Sequence, residues 1–405
     1  MPLRIVVHDY SGHPFQVQLS RELARRDHDV LHLHCPSYRS GKGALERRDS
    51  DPDRLRIEGV SLDAAFEKYA PARRLQQERA YARRLVRRLR AERPEVVLSS
   101  NTPLFAQRIV LSDCARLGIP FVFWQQDIYS VAMKREAERR LPLVGRVVGE
   151  RFVAMERRML ERSDAVVTIA EDFRSELLRW GLPAAKLHLI ENWAPLEELP
   201  QRPRANAWAR EHGLADKRVL LYSGTLGRKH DPGLLLRLAL ELREEQDVRV
   251  VVVSEGAGGD WLARESAAVD ARNLLLLGFQ PYEALADVLA SGDVLLVLLE
   301  REAGRYAVPS KVLSYLCAAR PLLAAVPAEN LGAKVVSESG GGVVAEPGDA
   351  DGLVAAARRL LDDPSLRADL GAAARAYAEA TFDIQAIGDR FEQVLSAAAQ
   401  VRSRP

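Results

Sequence analysis

Short apolar runs alternate with segments of helical periodicity along the first half of the chain. Residues 3–7 form a β-rich run, followed by a glycine-containing loop, an apolar-periodic helix over residues 15–25 and a second run at residues 30–34. This order predicts a βαβ unit and therefore a parallel sheet. Further strands are predicted at residues 96–99, 121–124, 165–169 and 187–190. We predict one doubly wound α/β domain over residues 1–194.

The same pattern restarts after residues 195–216, a segment rich in proline and charge that we predict to be a linker. Strands are predicted at residues 219–222, 248–253, 273–277, 294–298 and 322–325. The repetition predicts a second Rossmann-like domain over residues 217–380. Residues 364–401 are predicted to be helical throughout, and we expect the final segment, 381–405, to pack back onto the first domain.

The composition favours a reduced, cytoplasmic protein. The chain has 405 residues, of which 47% are hydrophobic, enough for two domains with their own cores. Its three scattered cysteines offer neither a disulfide framework nor the paired spacing of a zinc site, so no metal is predicted. Neither a signal-peptide pattern nor an apolar run of membrane-spanning length is present. We expect a soluble protein, or one that is peripheral on the inner face of the cell membrane.

Two basic helices raise the question of anionic partners. Residues 73–93 are rich in arginine, which is typical of a solvated surface helix. In residues 143–160 the following apolar side chains share one face: Val144, Val148, Phe152, Met155 and Met159. That face is suited either to an anionic membrane interface or to packing on the protein core. Interleaved glutamates and the lack of an aromatic stacking platform argue against nucleic acid.

Four loops in the second half follow predicted strands, at the edge where open α/β sheets bind ligands. In the first, Gly224 lets the backbone approach a ligand, and Arg228 and Lys229 offer charge-assisted hydrogen bonds to a phosphate. The second loop contains Glu255 and Gly256. Either loop alone is also typical of an ordinary turn.

The third and fourth loops add an aromatic ring and a lysine. Phe279 is suited to hold a nucleotide base. Pro309 and Ser310 are suited to a helix start, because proline has no N–H to lose there and the serine hydroxyl can accept from a free N–H group. The partial positive charge of that helix end and the full charge of Lys311 then predict a phosphate site. An ordinary capped helix fits the same local sequence.

Polar groups also follow strands of the first half. Gly12 lies in the loop after the first strand, which lacks the G-x-G-x-x-G pattern of a dinucleotide site. Ser100 and Asn101 directly follow another predicted strand. Asp127 follows a buried run, where it is suited either to orient or deprotonate a hydroxyl group or to cap the next helix.

Taken in order, these motifs resemble the retaining glycosyltransferases of family 4. The matching stretches are Ile190-Glu191-Asn192-Trp193, Tyr222-Ser223-Gly224 with Lys229, Leu277-Gly278-Phe279, Pro309-Ser310-Lys311, and Ser339 to Val344 with Gly348-Asp349. The resemblance implies a GT-B fold, in which two Rossmann-like doubly wound domains face each other across a cleft. The Pro-Ser-Lys variant is similar to bacterial transferases for lipid-linked surface polysaccharides such as O-antigen, including N-acetylfucosamine transferases.

The resemblance implies transfer of a hexosyl or N-acetylhexosaminyl group from a nucleotide sugar, most simply a UDP-sugar, to a lipid-linked or saccharide acceptor. It implies retention at the anomeric carbon, with no metal and no cofactor. Arg228, Lys229, Lys311 and the helix end at Ser310 would stabilise charge on the leaving diphosphate.

The sequence departs from the family at several site positions. Ser314 and Tyr306 stand where family members often have two glutamates, so Ser314 would contact the nucleotide ribose less firmly. Thr225 stands where an arginine is common, with Arg228 as a substitute, and Gln126 replaces the family's histidine beside Asp127. Two other functions therefore stay open: a sugar-nucleotide epimerase or hydrolase, and a non-catalytic protein that binds nucleotide sugars.

Overall fold

The structure, a computed structural model, describes residues 1–38, 42–62, 71–227, 230–301 and 310–401. The chain divides into two compact units. Unit 1 comprises Met1–Asn192 and Ile384–Pro405, and unit 2 comprises Trp193–Asp383. In the described part of the chain, no helix is both long and apolar enough to cross a membrane.

Unit 1 is built on a seven-stranded parallel sheet. Its strands are β1 (Arg4–Asp9), β2 (Asp29–His34), β3 (Leu55–Gly59), β4 (Val96–Ser100), β5 (Phe121–Gln125), β6 (Ala165–Thr168) and β7 (Leu187–Leu189). Their order across the sheet is β3-β2-β1-β4-β5-β6-β7. The central strands are almost continuously apolar because helices cover both faces of a parallel sheet.

In the described residues of unit 1, six α-helices lie between these strands along the chain. They are α1 (Pro14–Arg25), α2 (Pro71–Glu92), α3 (Leu104–Arg116), α4 (Tyr129–Arg140), α5 (Gly145–Arg162) and α6 (Glu171–Arg179). One core of unit 1 joins α2, α3 and α5 to the sheet through buried residues that include Leu85, Val110 and Leu160.

Unit 2 is built on a six-stranded parallel sheet. Its strands are β8 (Arg218–Ser223), β9 (Val248–Val253), β10 (Leu274–Leu277), β11 (Val294–Leu298), β12 (Leu322–Ala325) and β13 (Gly342–Ala345), in the order β10-β9-β8-β11-β12-β13. Its helices are α7 (Ala207–Glu211), α8 (Pro232–Glu241), α9 (Ala257–Ala268), α10 (Leu285–Ala290), α11 (Lys311–Cys317), α12 (Leu331–Ser339), α13 (Ala350–Asp362) and α14 (Pro364–Thr381).

The segment 195–216 packs within unit 2. Asn206 caps α7 by accepting a hydrogen bond from the Ala209 amide at 2.9 Å, and Trp208 is buried. Arg204 donates to Asp293 at 3.1 Å. The segment that the sequence suggested as a linker therefore has a helix and side-chain contacts of its own.

Residues 364–401 are helical, as predicted, except for a short break. The helix α14 ends at Thr381, and a separate helix, α15 (Ile384–Val401), follows. Phe382 is buried at the break, with φ −98° and ψ 29°. The break exists because the two helices bury their apolar faces in different units. In unit 1, Phe391 of α15 meets Trp124 edge-on, with 4.7 Å between the ring centroids.

Candidate functional site

In unit 2 the strand order reverses direction between β8 and β11, which are neighbours in the sheet. Connections leave these two strands toward opposite sides, and ligands of open α/β sheets bind outside the carboxyl ends at such a point. β8 ends at Ser223 and β11 ends at Leu298. The loop after Ser223 and the helix α11, which follows β11 in the chain, thus supply residues to this edge of the sheet.

Lys311 lies against the end of β8. Its Nζ atom is 3.6 Å from the centroid of the Tyr222 ring, a cation–π contact. Gly224 has φ +135°, and a Cβ atom there would lie 3.3 Å from both Cε and Nζ of Lys311. Glycine therefore serves two purposes at position 224: it permits this backbone conformation and it leaves room for the lysine.

Tyr315 joins α11 to the end of β8, a role that sequence reasoning missed. Its hydroxyl group accepts a hydrogen bond from the Ser223 amide at 2.8 Å and donates to the Ser223 carbonyl at 2.9 Å. Burial raises the pKa of Tyr315, so the hydroxyl stays protonated and can donate. Tyr315 lies four residues after Lys311, on the buried side of the helix. This spacing is the sequence feature that could have indicated its contact with β8.

Two glycines after β9 bring a second loop against the first. Leu226 donates from its amide to Ser254 Oγ at 3.0 Å and accepts from the Gly258 amide at 3.0 Å. Gly256 has φ +115°, and a Cβ atom there would lie 3.1 Å from the Leu226 carbonyl oxygen and 3.7 Å from Thr225 Cγ2. Gly256 and Thr225 are therefore brought together.

The predicted donor-site residues Thr225, Glu255 and Gly256 are exposed. Phe279 is also exposed, at 40%, and follows the edge strand β10. The neighbouring Gln280 accepts from Trp208 Nε1 at 3.1 Å and donates to the Gly278 carbonyl at 3.0 Å. These two bonds fix the loop that carries the Phe279 ring.

The predicted serine cap at the start of α11 is wrong. Ser310 is exposed, has helical φ and ψ of −54° and −22°, and makes no side-chain cap hydrogen bond. A residue already in the helical conformation cannot place its hydroxyl group as an N-cap does. Ser314 is half-buried on the same helix.

Four residues of the sequence predictions lie outside the described residues: Arg228, Lys229, Tyr306 and Pro309. Their roles stay predictions. Among the residues that the structure does describe, no group of three or more metal-ligand side chains is close enough to hold an ion.

In unit 1 the equivalent reversal lies between β1 and β4, where Asp9 pairs with Ser100. Asp9 is buried and accepts hydrogen bonds from the amides of Ser11, at 3.0 Å, and His13. Asn101 Nδ2 donates to the same carboxyl group at 3.3 Å. Burial raises the pKa of Asp9. Its bonds shape the loop that contains Gly12, which has φ +76°.

A network of buried polar side chains lies at the end of β1, next to this loop. It was not predicted from the sequence. His8 contacts Ser99 Oγ through Nδ1 at 2.9 Å and Tyr81 Oη through Nε2 at 2.8 Å. Burial lowers the pKa of His8 to about 3. The ring is therefore neutral at pH 7 and acts as a hydrogen-bonding element rather than as a charge.

Asp127 lies between β5 and α4, and its neighbours are held firmly. Gln126 and Asn192 exchange two amide hydrogen bonds, at 3.1 and 2.6 Å. The Ser130 amide at the start of α4 donates to Glu156 Oε2 at 2.9 Å, so a buried glutamate from α5 supplies a cap for that helix. The amide group of Gln126 is thus hydrogen-bonded to Asn192, while Asp127, the next residue, is partly exposed.

Comparisons with known proteins match both units. The family profile described as "Glycosyl transferase 4-like domain" matches residues 13–193, and "Glycosyl transferases group 1" matches residues 205–377. The chain is similar to the putative colanic acid biosynthesis glycosyl transferase of Escherichia coli, with 28% identity over 59% of this chain. That match spans 58% of the relative's length, which is less than two thirds.

A second relative bears on the family of the chain, and a solved structure bears on its fold. D-inositol 3-phosphate glycosyltransferase of Kineococcus radiotolerans is 30% identical over 68% of this chain and 68% of its own length. The structure of HepE from Anabaena in complex with UDP and glucose has a TM-score of 0.70 and 17% identity, covering 97% of this chain and 99% of its own. The chain therefore belongs to the family 4 glycosyltransferases, with the two parallel-sheet α/β domains of the GT-B fold.

Proposed function

We propose that the chain transfers a sugar from a nucleoside diphosphate sugar, taken to be a UDP-sugar, to a lipid-linked or saccharide acceptor. The observation that carries this proposal is the position of Lys311, whose Nζ lies 3.6 Å from the Tyr222 ring centroid and against Gly224 at the strand-order reversal of unit 2. A cation at this point is placed for an anionic group, such as a diphosphate, bound outside the sheet. HepE, similar in fold, binds UDP and glucose.

Lys311 would act on the leaving group. When the bond between sugar and diphosphate breaks, negative charge develops on the phosphate oxygens, and a preorganised cation stabilises that charge. Arg228 and Lys229, from the loop after Gly224, are proposed to contribute in the same way. These cations would supply the charge that a divalent metal supplies in other transferases, so we expect transfer to continue in EDTA.

The loops of unit 1 are proposed to receive the acceptor. Gly12 and Asn101 lie in loops that Asp9 holds in place, and Asp127 follows β5 at the same edge of the sheet. With retention at the anomeric carbon, an oxygen of the leaving phosphate would accept the proton of the acceptor hydroxyl group. Asp127 would then orient the hydroxyl group rather than remove its proton.

The acceptor is proposed to be lipid-linked and to serve surface polysaccharide synthesis at the cytoplasmic face of the membrane. The name of the Escherichia coli relative, a colanic acid biosynthesis transferase, supports this choice. The sugar transferred would be a hexose or an N-acetylhexosamine.

A two-step experiment tests the proposed function. Nucleotide sugars are first screened for thermal stabilisation, because a ligand that prefers the native state raises the melting temperature. The best donor is then incubated with extracted lipid-linked saccharides, and release of the nucleoside diphosphate is measured with and without acceptor. Release that depends on acceptor supports transfer. Equal release without acceptor would identify a hydrolase. Conversion of the donor sugar without release would identify an epimerase, and stabilisation without either change would identify a binding protein.

A further inference from the structure

The turn between α4 and α5 exposes a cluster of large aliphatic side chains. Leu141 is 44% exposed, Leu143 97%, Val144 52% and Val147 58%. Isolated exposed apolar residues are common on protein surfaces, but contiguous ones indicate a surface that contacts something apolar. These four residues lie within seven positions of the chain, and we call residues 141–147 the hairpin tip.

A closely packed pair of helices supports the hairpin tip. A Cβ atom on Gly145 would collide with the Ala137 carbonyl group, and one on Gly149 would lie 2.5 Å from Cγ of Lys134. Lys134 also pairs with Glu150 across the same contact. Because the two backbones approach so closely, α4 and α5 form a stiff hairpin that fixes the position of the tip.

The rest of α5 packs on unit 1. Phe152 meets Phe105 edge-on, with 6.2 Å between the ring centroids, Met155 packs against the core, and Met159 is buried. Most of the apolar face identified in the sequence is therefore used by the protein itself. Of this apolar face, the part in the hairpin tip is the part that stays exposed and can contact a partner or a membrane.

The charge around the hairpin tip is positive. Residues 134–151 contain six basic side chains, Lys134, Arg135, Arg139, Arg140, Arg146 and Arg151, and three acidic ones, Glu136, Glu138 and Glu150. An anionic membrane is complementary to such a surface. Its acyl chains can contact the aliphatic side chains, and its charged headgroups can contact the surrounding arginines. A second copy of this chain would bring a tip of the same charge, which is unfavourable.

We propose that the hairpin tip docks on an anionic membrane, with Leu143 inserted below the headgroups and Arg139, Arg140 and Arg146 among them. This inference rests on the proposed function in one respect: a lipid-linked acceptor would be presented in the same bilayer. Docking itself requires neither donor nor acceptor, so it is measured without them and independently of transfer.

Flotation with vesicles tests the proposal. The full chain is mixed with vesicles of phosphatidylethanolamine and phosphatidylglycerol, or of phosphatidylcholine alone, and we expect binding to the anionic vesicles only. Leu143→Asp should weaken that binding about tenfold or more, since it removes the burial of a whole leucine side chain. Neutralisation of this charge in Arg146→Gln should weaken it about fivefold, in line with the attraction of a single basic residue to an anionic surface.

Two control variants separate the tip from other surfaces of unit 1. Leu178→Asp changes an exposed leucine on α6, and it should leave vesicle binding unchanged. Arg87→Glu reverses a charge in an arginine-lined groove of about 760 Å3 between α2 and α3, away from the tip. Equal melting temperatures for all variants would show that each is folded.

Insertion is measured directly with Leu143→Trp. We expect brominated acyl chains to quench its fluorescence beyond the quenching seen for the wild type. Absence of binding to anionic vesicles would overturn the proposal, as would loss of binding in Arg87→Glu but not in Leu143→Asp. It would also be overturned if Leu143→Asp changed only the oligomeric state, because the tip would then contact a second copy.

Discussion

The hydroxyl group of Tyr315 bonds to both backbone groups of Ser223, at 2.8 Å from its nitrogen and 2.9 Å from its oxygen. Ser223 ends β8, and Tyr315 lies one helical turn after Lys311 in α11. The pair therefore fixes the distance between the end of the strand and the helix that carries the lysine. The position of Lys311 over Tyr222 depends on it.

Removing this hydroxyl group should weaken both the fold and donor binding. Tyr315→Phe leaves the Ser223 amide and carbonyl without this partner, which should cost about 1–3 kcal/mol of unfolding free energy. We expect KM for the nucleotide sugar to rise severalfold, because α11 is then held less firmly. Denaturant unfolding and steady-state kinetics measure the two effects.

Tyr377→Phe is the matched control, since it removes a tyrosine hydroxyl group from α14 in the same unit. It should leave KM for the donor unchanged. An unchanged KM in Tyr315→Phe as well would mean that this bond is structural only.

A methyl group at position 224 should displace Lys311. Gly224→Ala would force a side chain into a conformation with φ +135° and place its Cβ atom 3.3 Å from Lys311 Nζ. We expect about 1–3 kcal/mol of backbone strain and a loss of nucleotide-sugar affinity, measured by calorimetry.

Gly213→Ala is the control that introduces backbone strain without displacing Lys311. Gly213 also has positive φ, +65°, but nothing lies within 4 Å of the Cβ position. This variant should lose stability and keep its affinity. Equal losses of affinity in both variants would contradict a specific contact between residue 224 and Lys311.

The charge of Lys311 should matter more than its bulk. Lys311→Met keeps an aliphatic chain over the Tyr222 ring but removes the cation, and kcat should fall about a hundredfold, equivalent to about 3 kcal/mol of transition-state stabilisation. The same loss is expected for Lys229→Ala. Lys217→Met, at the opposite end of β8, should leave kcat unaltered. Turnover at the wild-type rate in Lys311→Met would rule out the electrostatic role proposed for this residue.

The central strands were predictable because burial on both faces leaves a continuous apolar run. Two edge strands, β3 and β13, were not predicted. An edge strand is less buried than a central one, so its sequence need not be a continuous apolar run. β3 has the sequence Leu-Arg-Ile-Glu-Gly, with mostly partly exposed positions, and β13 is similarly partly exposed throughout. In β3 the charged residues Arg56 and Glu58 interrupt the apolar pattern, so its sequence resembles a loop.

The candidate site was predictable where single residues point to ligand chemistry, as Gly224 and Lys311 do. Contacts between distant parts of the chain were not. Tyr315 meets Ser223 across 92 positions and His8 meets Ser99 across 91, and both contacts depend on which strands become neighbours. Local sequence contains the polar side chain in each case but not the identity of its partner.

Glu156 should make stability depend on pH. Burial raises its pKa from 4.5 to about 7, while its Oε2 accepts from the Ser130 amide at 2.9 Å. Above pH 4.5 the unfolded chain loses the proton and the folded chain retains it, so the free energy of unfolding falls as pH rises to about 7. The shift corresponds to a loss of about 3 kcal/mol.

Glu156→Gln isolates this effect, because the amide oxygen can still accept from Ser130 but the side chain cannot ionise. We expect the variant and the wild type to have similar stability at pH 4.5, and the variant to be more stable at pH 8. The comparison uses urea unfolding at several pH values and takes the difference between the two proteins, so that other titrating groups cancel. A constant difference across this range would mean that Glu156 does not remain protonated in the folded chain as its burial predicts.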